Sequence, residues 1–181
     1  MWAAAYFVVL LALFVRVQTG ATTSASQLRP LANEPLTLVM WHHRVFYALL
    51  LLAPVEASIL GGRTEGRAIG LLLFALGVGL YRVGGAQLGD SLSPFVLPRP
   101  TGRVVADGVY AWIRHPMYLG QALLAVGAPM TLGVRWVAWL AVPALGILWV
   151  RMQREEDALR ARFPAYLQYQ STTRRVVPFL F

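Results

Sequence analysis

The chain has 181 residues, of which 57% are hydrophobic and only 13% are charged, and its formal net charge is +8. A soluble domain of this size has too little interior to bury so much apolar surface, so the composition indicates a membrane protein. There is no cysteine, which excludes disulfides and thiolate chemistry. In a membrane chain a positive balance is typical of cytoplasmic loops. We therefore expect the lipid bilayer as a partner, and neither nucleic acid nor a metal ion.

The apolar residues come in blocks rather than in alternation with polar ones. With its flanking residues, each block reaches roughly the 20 residues that cross a bilayer as a helix. The sequence thus predicts an all-α integral membrane protein with about five transmembrane helices. The last two would form a helical hairpin over residues 116–150, followed by a cytoplasmic C-terminal helix. The five blocks are residues 1–15, 45–55, 68–81, 118–132 and 136–150.

The first block could instead be a signal peptide, because its core has a suitable length and residues 23–25 (Thr-Ser-Ala) could be cleaved. No positive charge precedes that core, however, and the chain that follows is unlike a secreted domain. The first block is therefore interpreted as a transmembrane helix.

The arginines predict the orientation. Five spans would leave Arg63, Arg67 and Arg135 on one side of the membrane, and Arg44 inside the second block. The positive-inside bias then places the more basic side, with the long loop and the C-terminal tail, in the cytoplasm. That side carries the other twelve: Arg16, Arg29, Arg82, Arg99, Arg103, Arg114, Arg151, Arg154, Arg160, Arg162, Arg174 and Arg175.

The chain divides into N-terminal transmembrane helices, residues 1–81, and a second half, residues 82–181, that holds the unusual polar residues. On the helix that the third block predicts, Gly70, Gly77 and Gly84 recur every seven residues. Small residues on one stripe allow helices to approach closely in lipid, so this stripe predicts a helix-packing face.

A polar stretch, GVYAWIRHPMYLG (residues 108–120), stands where the fourth block begins. Pro116 suits the first position of a helix, which puts His115 at the helix entrance beside free backbone N–H groups. With Tyr110, Arg114 and Tyr118, this end could hold a small polar ligand with an anionic group. The alternative is that these residues are only interfacial anchors.

A second polar group follows the fifth block. Arg151 and Glu155 are four residues apart and so share one helical face. They could be a solvated ion pair of little energetic value. Yet a hairpin returns both helix ends to the same membrane surface, so Arg151 and Glu155 can meet His115 and Tyr118 there.

The stretch GVYAWIRHPMYLG is followed by an apolar hairpin, Arg151, the pair Glu155-Glu156 and a tail with Phe163, Tyr166, Tyr169 and Pro178. This arrangement resembles the isoprenylcysteine carboxyl methyltransferase family. It is also similar to the wider group that includes phospholipid N-methyltransferases. The resemblance covers roughly residues 82–181. The chain departs from the family pattern at Pro164, where glycine is usual, and at Ala165, near which acidic residues are common.

The resemblance implies a membrane enzyme that uses S-adenosylmethionine (SAM) without a Rossmann domain, and no GxGxxG motif is present here. It implies that Arg151 faces the methyl acceptor and that Glu155 contacts SAM close to the reaction. The other cofactor-binding residues that it implies are Gly102, Arg103, Val104, Val105, Tyr110, His115, Pro116, Met117 and Tyr118.

The implied acceptor is a lipophilic or prenylated carboxylate, which is already anionic and needs no general base, so orientation and desolvation would dominate catalysis. A phospholipid or other amine is the alternative, and His115 or Glu155 could then remove its proton. A non-catalytic membrane scaffold is a third hypothesis, and a sterol-reductase-like chain is disfavoured by length. Trp41-His42-His43-Arg44 is interpreted as an interfacial anchor rather than part of the acceptor entrance.

Overall fold

The structure, a computed structural model, describes residues 36–93, 95–99 and 101–176. In these ranges the chain is helical, and its β-type pairing is a single bridge between Ile113 and Arg174. The prediction of an all-α fold is confirmed for this part, whereas the first apolar block lies outside the described residues. The helices are α1 (Leu36–Leu60), α2 (Arg67–Leu88), α3 (Pro116–Leu132), α4 (Ala141–Arg162) and α5 (Tyr166–Thr172), with 3-10 turns at Gly89–Ser91, Gly108–Ala111 and Val137–Leu140.

By length and composition, two of the described helices could cross a membrane, over Leu38–Leu60 and Arg67–Ser91. Both helices leave large apolar side chains exposed, for example Ile59 and Ile69. Exposed apolar surface on this scale suits lipid better than water. The number of five spans stays a prediction. The boundary predicted between residues 81 and 82 falls inside α2, which therefore contributes to both halves of the chain.

The glycine stripe packs α2 against α3. Cβ atoms built on Gly77 and on Gly120 would each lie under 3.0 Å from the backbone of the facing helix, at 2.7 Å and 2.8 Å. Gly70 and Gly84 also face α3, the first against Met130 and the second against Met117. The predicted packing face is therefore confirmed, and it seats the first turn of α3 beside the last turns of α2.

A tight turn joins α3 to α4. Gly133 ends α3 in the left-handed region with φ of 66°, which glycine adopts without strain, and its N–H donates to the carbonyl of Met130 at 3.2 Å. The helix after this turn begins at Ala141 and not at residue 136 as the apolar block suggested, because residues 137–140 form a 3-10 turn first. The Glu56 carboxylate of α1 accepts the N–H groups of Arg135, Trp136 and Val137 at 2.7–3.0 Å and so caps that turn.

α4 runs without interruption from its apolar half into its charged half and ends at Arg162. The charged segment after residue 150 is helical as expected and continues α4 as far as Arg162, and the short α5 follows it. A rigid continuous helix fixes the charged side chains relative to the apolar core. That core consists of Phe46, Leu49, Leu50, Phe74, Tyr81, Leu124, Ala125, Ala128 and Ala144.

Candidate active site

A cavity, called the site cavity below, lies where four helices end or begin. The start of α1, the end of α2, the start of α3 and the charged half of α4 line it, and the loop over residues 91–105 and α5 complete its wall. Its polar lining residues are His42, His43, Tyr81, Ser91, Ser93, Arg103, Tyr110, Arg114, His115, Tyr118, Gln121, Arg151, Glu155, Tyr166 and Tyr169.

Three polar side chains meet inside this cavity across the α3–α4 hairpin. The Tyr118 hydroxyl donates a hydrogen bond to Glu155 Oε2 at 2.7 Å and accepts one from Arg151 Nε at 3.4 Å. Arg151 is only 5% exposed, whereas Glu155 is half-buried. The expected meeting of Arg151, Glu155 and Tyr118 is therefore confirmed, and a solvated surface ion pair does not describe Arg151.

Pro116 occupies the first position of α3, and His115 precedes it, as the sequence predicted. The segment before the helix is held by the tail. The N–H of Arg114 donates to the carbonyl of Arg174 at 2.7 Å, and that of His115 donates to the carbonyl of Arg175 at 3.0 Å. The tail thus runs alongside the helix entrance and fixes its position.

One buried carboxylate, that of Glu156, joins this entrance, the tail and α4. It is fully buried and forms, with the side chains that bind it, the Glu156 cluster. Its Oε1 accepts hydrogen bonds from Arg114 Nε at 3.0 Å and Arg175 Nε at 3.2 Å. Its Oε2 accepts from the terminal NH2 of Arg175 at 2.6 Å. The other members are His115 (3.2 Å), Arg160 (3.1 Å) and Gln170 (3.2 Å).

These contacts set the charge state of Glu156. Burial alone would raise the pKa of its carboxyl group, but hydrogen bonds from His115, Arg175 and Arg114 outweigh burial and hold that pKa well below its usual range. The group is therefore ionised at neutral pH. A buried carboxylate with this many donors is a structural anchor, since every lone pair is already used.

The side chain of His115 lies between the site cavity and the Glu156 cluster. It borders the site cavity, but its Nε2 lies 3.2 Å from Glu156 Oε1, and its ring packs edge-on against Tyr118 with centroids 5.3 Å apart. Its side chain therefore positions Tyr118 and the helix entrance. The prediction that His115 contacts a cofactor stays a prediction.

The other residues predicted to bind the cofactor or the acceptor differ in whether they line the site cavity. Pro116 is buried and does not line the site cavity. Its place is structural, since it begins α3. The residues that do line the cavity are Gly102, Arg103, Val104, Val105, Tyr110, Met117 and Tyr118, together with Arg151 and Glu155.

Three tyrosines, one from the 3-10 turn at Gly108–Ala111 and two from α5, surround the same space. Tyr110 donates to the carbonyl of Gly84 at 3.3 Å, and Tyr169 donates to the carbonyl of Tyr110 at 2.7 Å. Burial raises the pKa of Tyr110, and it raises the pKa of Tyr169 to about 12, so both phenols are neutral donors at pH 7. The Tyr166 hydroxyl is buried and has no hydrogen-bond partner among the described residues.

Two contacts at the site were missed in the sequence. One is the burial of Glu156 among Arg114, His115 and Arg175, although the adjacent pair Glu155-Glu156 could have raised the question of which carboxylate faces inward. The other is the contact between His42 and Gln121, both buried and 3.2 Å apart. The interpretation of His42 as an interfacial anchor is wrong, because α1 turns this residue into the site cavity, whereas Trp41 and Arg44 remain exposed and stack on each other.

A sequence model of the isoprenylcysteine carboxyl methyltransferase (ICMT) family matches residues 68–161, more than half of the chain. The chain belongs to this family. The resemblance seen in the sequence is therefore confirmed, and with it the enzyme class, a methyltransferase. The matched residues include the start of α3, the hairpin and most of α4, which carry Tyr118, Arg151 and Glu155.

Two curated proteins are similar to this ICMT-family chain. Protein-S-isoprenylcysteine O-methyltransferase of Schizosaccharomyces pombe is 27% identical in an alignment 171 positions long, which covers 80% of this chain and 71% of the relative. The nickel-cobalt-cadmium resistance protein NccN of Alcaligenes xylosoxydans xylosoxydans is 27% identical in an alignment 152 positions long, which covers 82% of this chain and 71% of the relative.

The fold matches a solved structure, that of the eukaryotic intramembrane Ras methyltransferase ICMT, with a TM-score of 0.58 and 21% sequence identity. The match covers 88% of this chain but 55% of the solved one, so the chain spans about half the length of that protein. At this identity the likeness concerns the fold, which is that of an integral membrane enzyme.

Proposed function

We propose that this chain is a SAM-dependent membrane methyltransferase that methylates the carboxylate of a lipophilic acceptor. One observation carries the proposal: inside one cavity, the Tyr118 hydroxyl bridges a buried arginine, Arg151, and a carboxylate, Glu155. An arginine fits an anionic acceptor, and a carboxylate fits a cationic or hydroxyl-bearing cofactor. Methyl transfer needs both ligands side by side.

The residues present fit SAM. Its ammonium and ribose hydroxyls are suitable partners for Glu155, and the buried Tyr166 hydroxyl, which has no partner among the described residues, could bond to a polar group of the cofactor. Apolar Val104, Val105 and Met117 offer surface for the adenine ring. When bound, the cofactor supplies a methyl group on a positively charged sulfur.

The chain's own residues then act by orientation. Arg151 would bind the acceptor carboxylate, and its buried position strengthens that charge-assisted contact because little water competes. Tyr118 would keep Arg151 and Glu155 in register through its two hydrogen bonds. A carboxylate nucleophile needs no general base, so holding the two reactants in line in a dry site accounts for the catalysis.

The buried Arg151 favours a carboxylate acceptor over an amine, because a protonated amine would meet a like charge beside the guanidinium. An amine would also need a proton removed. The Nε2 of His115 is engaged by Glu156, which leaves Nδ1 as the ring nitrogen that could accept that proton. Glu155 is bonded to Tyr118 and faces the proposed cofactor side.

One wall of the site cavity is apolar and suits the apolar part of the acceptor. Leu88, Leu92, Phe95, Val96 and Leu97 line the site cavity next to its polar residues. The name of the Schizosaccharomyces pombe relative states an isoprenylcysteine substrate, which combines a carboxylate with an apolar chain. We therefore propose prenylated cysteine as the acceptor class, in a multi-pass protein whose active site faces the cytoplasm.

Methyl transfer can be measured with purified protein in nanodiscs and SAM labelled in its methyl group. N-acetyl-S-farnesylcysteine and phosphatidylethanolamine would serve as alternative acceptors. The proposal expects a base-labile product from the first, since a methyl ester releases methanol in alkali. A base-stable product formed from phosphatidylethanolamine alone would instead support N-methylation. Failure of the protein to bind SAM would support the hypothesis of a non-catalytic scaffold.

A further inference from the structure

A second polar layer lies deeper in the site cavity than Tyr118 and Glu155. Gln121 is three residues farther along α3 than Tyr118, and Arg151 is four residues before Glu155 on α4, so this layer lies about 5 Å farther into the helices. His42 of α1 completes it. His42, Gln121 and Arg151 are each at least nine-tenths buried, and all three line the cavity.

The hydrogen bond between His42 and Gln121 defines the protonation of the imidazole. His42 Nε2 lies 3.2 Å from Gln121 Oε1, an oxygen that can only accept, so Nε2 carries the proton. In the neutral ring Nδ1 is then an acceptor. Nδ1 is buried and has no hydrogen-bond partner among the described residues. A buried acceptor without a donor is unfavourable, and a ligand that brings one would relieve this.

We propose that His42 Nδ1 accepts a hydrogen bond from an N–H group next to the acceptor carboxylate that Arg151 holds. The inference rests on the proposed function and makes His42 a specificity residue for the amide group that an N-acylated acceptor with an apolar side chain carries. In such compounds the amide N–H is attached one carbon away from the carboxylate, so two neighbouring protein groups can bind both.

A neutral amide fits this place better than a charged amine. Arg151 belongs to the same buried layer, and an ammonium group beside its guanidinium would meet a like charge where little water screens it. An amide N–H donates one hydrogen bond and carries no net charge. His42 therefore acts as a specificity residue that contacts the acceptor and not the cofactor.

Two substitutions of His42 test the contributions of its two ring nitrogens separately. The amide end of Gln in His42→Gln reaches the position of Nε2 and can keep the contact with Gln121, but it leaves no acceptor at Nδ1. The shorter Asn in His42→Asn places its oxygen near Nδ1 and gives up the contact with Gln121. Each variant is tested with two probe compounds: N-acetyl-S-farnesylcysteine, which has the amide, and S-farnesyl-3-mercaptopropionic acid, which lacks it.

The experiment measures equilibrium binding of both probes, and of SAM, to detergent-purified wild type and variants, with thermal unfolding as a check on folding. Wild type should bind the amide probe about tenfold or more tightly than the other. His42→Gln should reduce that preference to about twofold or less, His42→Asn should retain most of it, and SAM affinity should not change.

Equal binding of the two probes by wild type, binding of neither, or an equal loss for both probes in His42→Gln would overturn the inference. A tight preference in binding without any methyl transfer would instead support the role of His42 and contradict the proposed function. The two hypotheses can thus fail separately.

Discussion

His115 Nε2 lies 3.2 Å from Glu156 Oε1, and both side chains are buried. This contact joins the entrance of α3 to α4, while Arg175 brings the tail to the same carboxylate. The site cavity is therefore held in shape by a charge cluster beside it. Glu155, the next residue along α4, points into the cavity instead.

Glu156→Gln should destabilise the protein strongly. It removes the only negative charge that the described residues place against Arg114 and Arg175, and breaking a buried ion pair typically costs about 3–5 kcal/mol. Thermal unfolding in detergent would measure the loss. Asp157→Asn is the matched control, because Asp157 is an exposed neighbour on the same helix and should change stability by less than about 1 kcal/mol. Similar effects of both substitutions would contradict the role of the cluster.

The same cluster predicts acid sensitivity. The folded state holds the pKa of Glu156 below its unfolded value of about 4.3, so the unfolded chain binds the proton more readily. The stabilisation is complete well above that value and is lost as the pH falls below about 5. As the pH is lowered, the melting temperature of Glu156→Gln should therefore drop less steeply than that of wild type. Parallel curves for the two proteins would show that another group governs acid unfolding.

Gly77→Ala should weaken the α2–α3 contact. A Cβ at this position would lie 2.7 Å from the Gly120 carbonyl, so the helices must separate, at a cost of about 1–3 kcal/mol. Gly79→Ala on the same helix meets nothing within 4 Å and is a matched control, which should be neutral or slightly stabilising. Equal stability of the two variants would mean that the stripe does not determine packing.

The orientation can be tested with single cysteines, because the chain has none of its own. Thr101 in the loop and Thr172 at the end of α5 are exposed, whereas Thr173 is buried and would label poorly. Both probes should react with an impermeant thiol reagent only after the cells are opened. Labelling of either one on intact cells would refute a cytoplasmic site.

Residues close in sequence or on one helical face were predictable. Pro116 begins α3 because its ring suits a first turn, and Arg151 and Glu155 share a face because a spacing of four residues is close to one full turn. The hairpin then brought both to Tyr118. The sequence thus contained the local geometry and one long-range contact of the candidate site.

Other features depend on contacts that no local pattern reveals. Glu155 and Glu156 are neighbours that point about 100° apart, and only the packed tail decides that Glu156 is buried. The tail reaches Glu156 through Arg175, which pairs by its backbone with residues some sixty positions earlier. His42 resembled an interfacial anchor because its role depends on Gln121, 79 residues away.

The central claim is that Arg151 binds the acceptor and Glu155 binds SAM, and paired measurements on the two variants test it most directly. SAM affinity would be measured by calorimetry and methyl transfer at saturating SAM. Glu155→Gln should weaken SAM binding. Arg151→Leu should leave SAM affinity nearly unchanged and reduce turnover by roughly 30- to 1,000-fold, since a charge-assisted contact made in the transition state is lost.

Arg154→Leu, an exposed arginine on the same helix, is the control and should leave both quantities within about twofold of wild type. Loss of turnover without loss of SAM affinity in Arg151→Leu, together with weakened SAM binding in Glu155→Gln, is the result that this assignment predicts. Small and equal effects of Arg151→Leu and Glu155→Gln would contradict it and remove both residues from the active site.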